Sequence, residues 1–139
     1  MLIHASCVVI NGKAVLLAGP PGIGKSDLAL RLIDEGAQLL SDDQVLLRLE
    51  KGALTASPPS PIEGQIEIRH IGIAKMSFAA AAPITLYVEL TASSDALERL
   101  PEPDYILLLD HSIKRLRLPS FAASTPAKIR AALTYPMEN

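Results

Sequence analysis

The feature that most constrains this chain is a glycine-rich loop at residues 19–26. It matches the pattern G-x-x-x-x-G-K-[ST] at every fixed position, and its residues are Gly19, Pro20, Pro21, Gly22, Ile23, Gly24, Lys25 and Ser26. An apolar run enters the loop at residues 14–18 and a helical pattern leaves it at residues 27–35, which is the order of strand, loop and helix that a phosphate-binding loop requires. The sequence therefore predicts a site for a nucleotide or another polyphosphate.

The residues of this glycine loop have separate physical roles. Glycines allow successive backbone N–H groups to turn towards phosphate oxygens, and the positive end of the following helix dipole lies beside them. Lys25 is predicted to reach the outer phosphates, and the Ser26 hydroxyl to bind Mg²⁺. Arg31 and Arg69 are further cations that a bound polyanion could use.

Composition limits the class of protein. A chain of 139 residues with 49% hydrophobic residues predicts one domain over residues 1–139. The net charge of −2 argues against a general binder of nucleic acids or membrane surfaces. There is no basic segment followed by a long apolar one at the N-terminus, so we expect a cytoplasmic protein. Cys7, alone in an apolar strand pattern, is predicted to be buried and without chemistry.

Several apolar runs have the length of β-strands. Asn11-Gly12 joins the first two and is typical of a type I′ hairpin, since both residues tolerate positive φ, and Lys51-Gly52 indicates a second hairpin. Residues 105–109 are predicted to be a core strand, whereas residues 112–118, which carry three basic side chains, are predicted to be a solvated edge strand. The remaining runs are residues 5–10, 13–18, 37–40, 44–50, 53–56 and 84–90.

Helices are predicted at residues 27–35, at residues 94–100, and from Ser124 to about Tyr135. The alanine-rich residues 77–83 suit a short helix or a loop packed against another subunit, and the pattern does not decide the backbone of residues 62–73. The predicted fold is α/β, a P-loop-containing nucleotide-binding domain with a mixed sheet.

Two adjacent acids follow the strand predicted at residues 37–40. Phosphoryl transfer needs a positioned acceptor, a metal ion and usually a carboxylate near the attacking hydroxyl. If this strand lies beside the one that feeds the glycine loop, Asp42 and Asp43 reach the edge where open α/β sheets bind ligands. Neighbouring residues of an extended chain face opposite ways, so only one acid would face the terminal phosphate. The alternative is a turn with two solvated acids, and the upstream loop favours the functional interpretation.

Four motifs in this order resemble the catalytic domain of bacterial HPr kinase/phosphorylase. The family has I/L-H-G, a Walker-type loop, A-D-D and E-I-R-G-L-G-I where this chain has His4, the glycine loop, residues 41–43 and residues 67–73. The resemblance is close over the first half of the chain and looser over the second. It implies an ATP-dependent serine kinase that uses Mg²⁺ and phosphorylates a small HPr-like phosphocarrier protein of the phosphotransferase system, which regulates carbohydrate metabolism.

The resemblance also implies roles for single residues. Lys25 and Ser26 would hold the phosphates and Mg²⁺, and Glu67 would be a second acid at the metal. Asp43 would be the base that takes the proton from the acceptor serine. His4 would meet the phosphoryl group or orient Asp43, and Arg69 would stabilise the transferred charge. From the residues alone, a structural histidine and a surface pair of Glu67 with Arg69 are the alternatives.

The chain also departs from the family pattern. It has no room for the N-terminal domain of longer members, so a short form is expected. Ala5 and His70 stand where the family has glycines, and His70 is expected to crowd its loop. Whether Arg99 corresponds to an arginine in the family's D-R-L-G segment stays open. Residues 119–123 stand near the place of an arginine- and glycine-rich loop tied to the reverse reaction, so phosphorylase activity stays open as well.

Other functions remain possible on the sequence alone. A small-molecule kinase or a plain NTPase would also use the glycine loop, although the two acids and the E-I-R segment argue against it. A regulator that senses a nucleotide with little turnover is a third possibility, because several family elements are missing. The oligomeric state is open, and a homo-oligomer is compatible with the alanine run.

Overall fold

Eleven β-strands, two α-helices and one short 3-10 helix form residues 1–138, the part of the chain that the computed structural model describes. The strands in chain order are β1 (Leu2–Ile3), β2 (Ser6–Ile10), β3 (Lys13–Ala18), β4 (Gln38–Ser41), β5 (Val45–Glu50), β6 (Ala53–Ser57), β7 (Gln65–Ile68), β8 (Gly72–Lys75), β9 (Ala82–Thr91), β10 (Tyr105–Leu108) and β11 (His111–Pro119). The helices are α1 (Lys25–Asp34), the 3-10 helix (Ser60–Ile62) and α2 (Thr125–Thr134). Within these residues no helix is long and apolar enough to cross a membrane.

Both predicted hairpins are confirmed. Asn11 and Gly12 have φ values of 50° and 76° between β2 and β3, as a type I′ turn requires. Lys51 and Gly52 have φ values of 52° and 78° between β5 and β6. The first hairpin positions the candidate site, because β2 begins beside it and β3 runs directly into the glycine loop.

The main sheet is mixed and brings several strand ends to one edge. β3 pairs in parallel with β9, and β9 pairs in parallel with β11. On the other side β2 is antiparallel to β3 and β4 is antiparallel to β2, so β4 runs in the same direction as β3. The carboxyl ends of β3, β4, β9 and β11 therefore share the edge where the glycine loop lies.

The condition that β4 lies directly beside β3 is not met, because β2 lies between them. The two-residue turn forces β2 to pair with β3, which leaves only the far edge of β2 for β4. The two acids still reach the expected edge. The interposed strand adds its own first residue, Ser6, to that edge.

A second group of strands, β1, β5 and β6, joins the main sheet through β9. The start of β9 pairs with β6, whereas its later residues pair with β3 and β11. A bulge occurs where Ala14 pairs with Ile84 but Val15 pairs with Leu86, so that Thr85 is an extra residue. Residues two apart in a regular strand lie on the same face of the sheet. Because of the bulge, Ile84 and Leu86 instead pack into different apolar clusters.

Two apolar clusters lie on the two faces of the main sheet. One includes Leu16 and Leu40 with residues of β5 and β6. The other contains Leu28 and Leu32 of α1 together with Ile129 of α2 and residues of β7. Cys7 is fully buried in the first cluster, as predicted, and burial raises the pKa of its thiol.

Three predictions for the second half of the chain are wrong in part. Residues 94–100 form turns and bends, not a helix. β10 is the outer strand and exposes Tyr105 and Leu107, whereas β11 lies between β10 and β9 and is not an edge. The basic side chains of β11 predicted a strand at the solvent-exposed edge of the sheet. Arg115 and Arg117 instead form ion pairs with acids of neighbouring segments. Composition of one strand does not reveal these partners.

The two segments that the pattern left undecided are now defined. Residues 62–73 contribute the 3-10 helix, β7 and the turn into β8, and the two strands pair as an antiparallel hairpin. The alanine run is not helical: Phe78 forms a bridge with Leu39, the Ala79 N–H donates to the Leu39 carbonyl, and β9 begins at Ala82. The run therefore connects β8 to β9 along β4.

The turn at Gly12 generates a prediction about stability. An added Cβ at Gly12 would meet nothing within 4 Å, so only its positive φ opposes a side chain. We expect Gly12→Ala to lower the free energy of unfolding by about 1 kcal/mol, and Gly12→Asn by less, because asparagine tolerates positive φ. Urea unfolding measures both. An alanine variant as stable as the wild type would contradict the assigned turn.

The contact between Asp104 and Arg115 generates a prediction about pH. The Arg115 side chain donates to the Asp104 carboxylate at 2.8 Å and lowers the pKa of that carboxyl, and Arg117 adds to the effect. A lowered folded pKa contributes stability above the unfolded value, and this contribution is lost as the pH falls through the folded one. The wild type should therefore exceed Asp104→Asn in stability at pH 7, and the difference should shrink below about pH 4.

Thermal unfolding of both proteins between pH 7 and pH 3 measures this difference. Glu102→Gln is the matched control, since Glu102 is an exposed acid of the same segment with no ion pair to the described residues. A pH-independent gap between wild type and Asp104→Asn would contradict the prediction.

Candidate active site

The glycine loop connects β3 to α1 in a conformation that excludes side chains at two positions. Gly19 and Gly24 have φ values of 149° and 111°. A Cβ at Gly19 would lie 2.9 Å from Ile23 Cγ2, and one at Gly24 would lie 2.7 Å from Phe121 Cζ. Positive φ favours glycine at both places, and a side chain at either one would also displace Ile23 or Phe121.

Lys25 begins α1 and folds back over the loop. Its ammonium group donates to the carbonyl of Gly19 at 2.7 Å and to that of Pro20 at 3.3 Å. The cation therefore lies across the loop entrance, next to the backbone that the pattern predicts to hold phosphates.

The Asp42 carboxylate is the point where the site residues meet. Its Oδ1 accepts hydrogen bonds from Ser26 Oγ and Ser6 Oγ, both at 2.7 Å. Its Oδ2 accepts from the Glu67 backbone N–H at 3.2 Å. Asp42 is only 8% exposed, and a buried carboxylate is stable only with partners of this kind. One side chain thus ties β2, α1 and β7 together.

Asp43 lies in a different environment from Asp42. It is exposed, its φ is 71°, and its backbone N–H donates to Ser6 Oγ at 3.5 Å. Aspartate is one of the residues that tolerate positive φ. The two acids therefore face different ways, as expected for neighbouring residues of an extended chain. Asp42 is held inside the site and Asp43 is open to solvent.

The other predicted residues lie around this centre. Glu67 contributes its backbone N–H, and its side chain is exposed. Arg69 and His70 form the turn between β7 and β8, and His70 has a φ of 72° where the family has glycine. His4 is exposed between β1 and β2. Within residues 1–138, no hydrogen bond or ion pair joins His4 or Arg69 to Asp42.

Two further arginines lie away from the centre. Arg31 forms an ion pair with Asp27 at 3.0 Å and donates to the carbonyls of Ser120 and Ala122, so it holds residues 119–123. Arg99 is exposed and lines an open cleft of about 1000 Å³ between residues 94–104, β11 and α2. The described residues of the glycine loop do not line this cleft.

The sequence alone assigns no separate role to Asp42 and does not single out Ser6. The sequence does contain a feature that indicates a site role for Asp42, since this residue is the first acid after a buried strand. No signal marked Ser6, because a serine at the start of an apolar strand is ordinary. Its importance comes from the strand order, which places β2 between β3 and β4.

The fold and the site define a mixed α/β domain in which a glycine loop joins a strand to a helix beside a buried carboxylate. The chain belongs to the family described as HPr Serine kinase C-terminal domain, whose match covers residues 1–135. The resemblance drawn from the four motifs is therefore confirmed.

Named relatives agree with this assignment. The HPr kinase/phosphorylase of Geobacillus sp. (strain WCH70) is 34% identical over 128 residues, which cover 84% of this chain and 41% of that protein. That of Thermoanaerobacter sp. (strain X514) is 37% identical over 128 residues, which cover 84% of this chain and 42% of that protein. The chain thus spans about two fifths of the length of these curated relatives.

A solved structure also matches. The HPr(Ser) kinase/phosphatase from Coxiella burnetii has a TM-score of 0.84 to this chain at 28% sequence identity, over 96% of this chain and 88% of that one. This similarity supports the predicted α/β class with a mixed sheet.

The hydrogen bond from Ser6 to Asp42 generates a prediction. Ser6 is fully buried and donates to a carboxylate, and such bonds contribute more than bonds between neutral groups. We expect Ser6→Ala to lower the free energy of unfolding by about 2 kcal/mol. Ser57→Ala is the control, since the buried Ser57 Oγ has no partner in the described structure. Equal effects of the two substitutions in denaturant unfolding would contradict the role of Ser6.

Proposed function

We propose that this chain transfers the γ-phosphoryl group of ATP, with Mg²⁺, to a serine of a small HPr-like phosphocarrier protein. Family membership supports the reaction class. The observation that carries the proposal is the buried Asp42 carboxylate, which accepts a hydrogen bond from Ser26 of the glycine loop at 2.7 Å while Asp43 beside it is exposed. Binding groups and an accessible base are thus adjacent at the sheet edge.

The donor atoms at Asp42 fit Mg²⁺. Ser26 Oγ and Asp42 Oδ1 are hard oxygen ligands 2.7 Å apart. Glu67, whose backbone N–H contacts Asp42, carries an exposed carboxylate on β7. Mg²⁺ is commonly held by one or two carboxylates together with substrate phosphates, not by a cage of protein ligands alone. Among residues 1–138 no group of three or more His, Cys, Asp or Glu side chains forms such a cage. When bound, the ion would neutralise charge on the phosphates, with Ser26, Asp42 and Glu67 as its protein ligands.

The chain's own residues have distinct roles in this proposal. Loop N–H groups and Lys25 bind phosphate oxygens, and Lys25 exchanges the carbonyls of Gly19 and Pro20 for them. Asp43 takes the proton from the hydroxyl group of the acceptor serine. At the same time the serine oxygen forms a bond to the γ-phosphorus, and the bond between that phosphorus and the leaving ADP oxygen breaks. His4 and Arg69 stabilise the transferred phosphoryl group.

A protein acceptor suits the surroundings of Asp43. The exposed carboxylate can be reached by a hydroxyl carried on another protein's surface. The β7–β8 hairpin, which contacts Asp42 through the Glu67 N–H, exposes Ile71 and Ile73, and neighbouring exposed apolar residues that form a contiguous patch often mark a partner surface. A metabolite acceptor would need no such surface.

Labelled ATP, Mg²⁺ and HPr test the proposal, with an HPr variant whose acceptor serine is alanine as the substrate control. Asp43→Asn should reduce the labelling rate by roughly 10²–10⁴-fold, because the general base is lost. Asp110→Asn is the matched control: Asp110 is also exposed and has a φ of 64°, but it lies at the turn between β10 and β11. An equally active Asp43→Asn enzyme would remove Asp43 from the mechanism.

The same assay separates the alternative functions. ATP binding without labelled HPr would indicate a nucleotide sensor, and release of ADP independent of HPr would indicate an NTPase. Inorganic phosphate added to phosphorylated HPr tests the phosphorylase reaction, for which residues 119–123 provide no arginine.

A further inference from the structure

Phe121 lies on the loop that joins β11 to α2, at the same sheet edge as the glycine loop. β3, β9 and β11 are consecutive parallel strands, so the loops that follow them are neighbours. Ligands of open α/β sheets lie across such neighbouring loops. A nucleotide whose phosphates lie on the loop after β3 must place its base over another part of this edge.

The Phe121 ring touches the glycine loop directly. Its Cζ, Cε1 and Cε2 atoms lie 2.7, 3.1 and 3.2 Å from the place that a Cβ of Gly24 would occupy. These nearly equal distances mean that Gly24 faces the flat side of the ring and not its edge. Phe121 is nevertheless 64% exposed, so the ring surface away from Gly24 is in solvent. One face is supported and the other is free.

The loop that carries Phe121 is held on both sides of the ring. Arg31 donates to the carbonyls of Ser120 and Ala122, and the Ser120 N–H donates to the Thr91 carbonyl at 3.0 Å. Thr125 Oγ1 donates to the Pro119 carbonyl. An aromatic side chain whose backbone is already fixed loses little entropy when a ligand packs on it.

We propose that Phe121 is the platform on which the adenine ring of the bound nucleotide stacks. This inference rests on the proposed use of ATP. Residues 119–123 contain no charged side chain, so they offer the nucleotide an aromatic surface and not a further phosphate contact. Stacking between a base and an aromatic side chain needs only a free π-face on the protein, which Phe121 has.

The affinities of ATP and of inorganic tripolyphosphate, both with Mg²⁺, test the proposal by titration calorimetry. Tripolyphosphate has the phosphates of ATP without the base. Phe121→Ala should weaken ATP binding by about 5- to 150-fold and leave tripolyphosphate binding unchanged, and Phe121→Trp should retain the ATP affinity. Tyr135→Ala is the matched control, since Tyr135 is an aromatic residue with the same 64% exposure at the end of α2. It should change neither affinity.

Other outcomes overturn the proposal in distinguishable ways. If Phe121→Ala changes both affinities alike, the ring shapes the glycine loop instead of binding a base. If it changes neither, Phe121 has no part in binding, and the phosphate site stands without it. If the wild type binds neither ligand, the proposed use of ATP fails as well.

A spectroscopic readout is available because the chain contains no tryptophan. Phe121→Trp introduces a single tryptophan at the platform, and its emission can be excited selectively over that of the three tyrosines. ATP should quench its emission through stacking, whereas tripolyphosphate should not. Equal responses to the two ligands would contradict stacking.

Discussion

The carboxylate of Asp42 is the interaction on which the site depends. A charge that is nearly excluded from water is stable only if donors surround it. Here the donors come from β2, from the first turn of α1 and from β7. The hydrogen bonds to one carboxylate therefore hold three segments that are distant in sequence next to one another. This carboxylate also attaches the start of α1, directly after the glycine loop, to β2 and β7.

The pair of adjacent acids shows how one step along the backbone divides two tasks. Asp42 points inwards and accepts hydrogen bonds from three segments, whereas Asp43 takes a left-handed backbone conformation and remains in solvent. An acid buried among donors is poorly placed to receive a proton from a second protein. An exposed acid, in turn, would be a weak anchor for three segments of chain. Ser6 connects the two, because its hydroxyl donates to the Asp42 carboxylate and accepts from the Asp43 N–H.

The sequence predicts those parts of the structure whose conformation is determined by residues that are close together in the chain. Asn11 and Gly12 determine their own hairpin, and the glycine loop determines its own backbone. The position of β11 depends instead on its pairing with β9 and on the ion pairs of its arginines with Glu89 and Asp104, which lie on other segments. Ser6 belongs to the site only because of strand order. The roles of Asp43, His4 and Arg69 come from the family pattern and remain predictions.

The bulge at Thr85 has a mechanical consequence. Before the bulge the buried side chains of β9 belong to one apolar cluster, and after it they belong to the other. The same strand ends beside the glycine loop. Neither cluster can separate from the other without breaking this strand, so the group of β1, β5 and β6 and the edge that carries the glycine loop should unfold in a single cooperative transition.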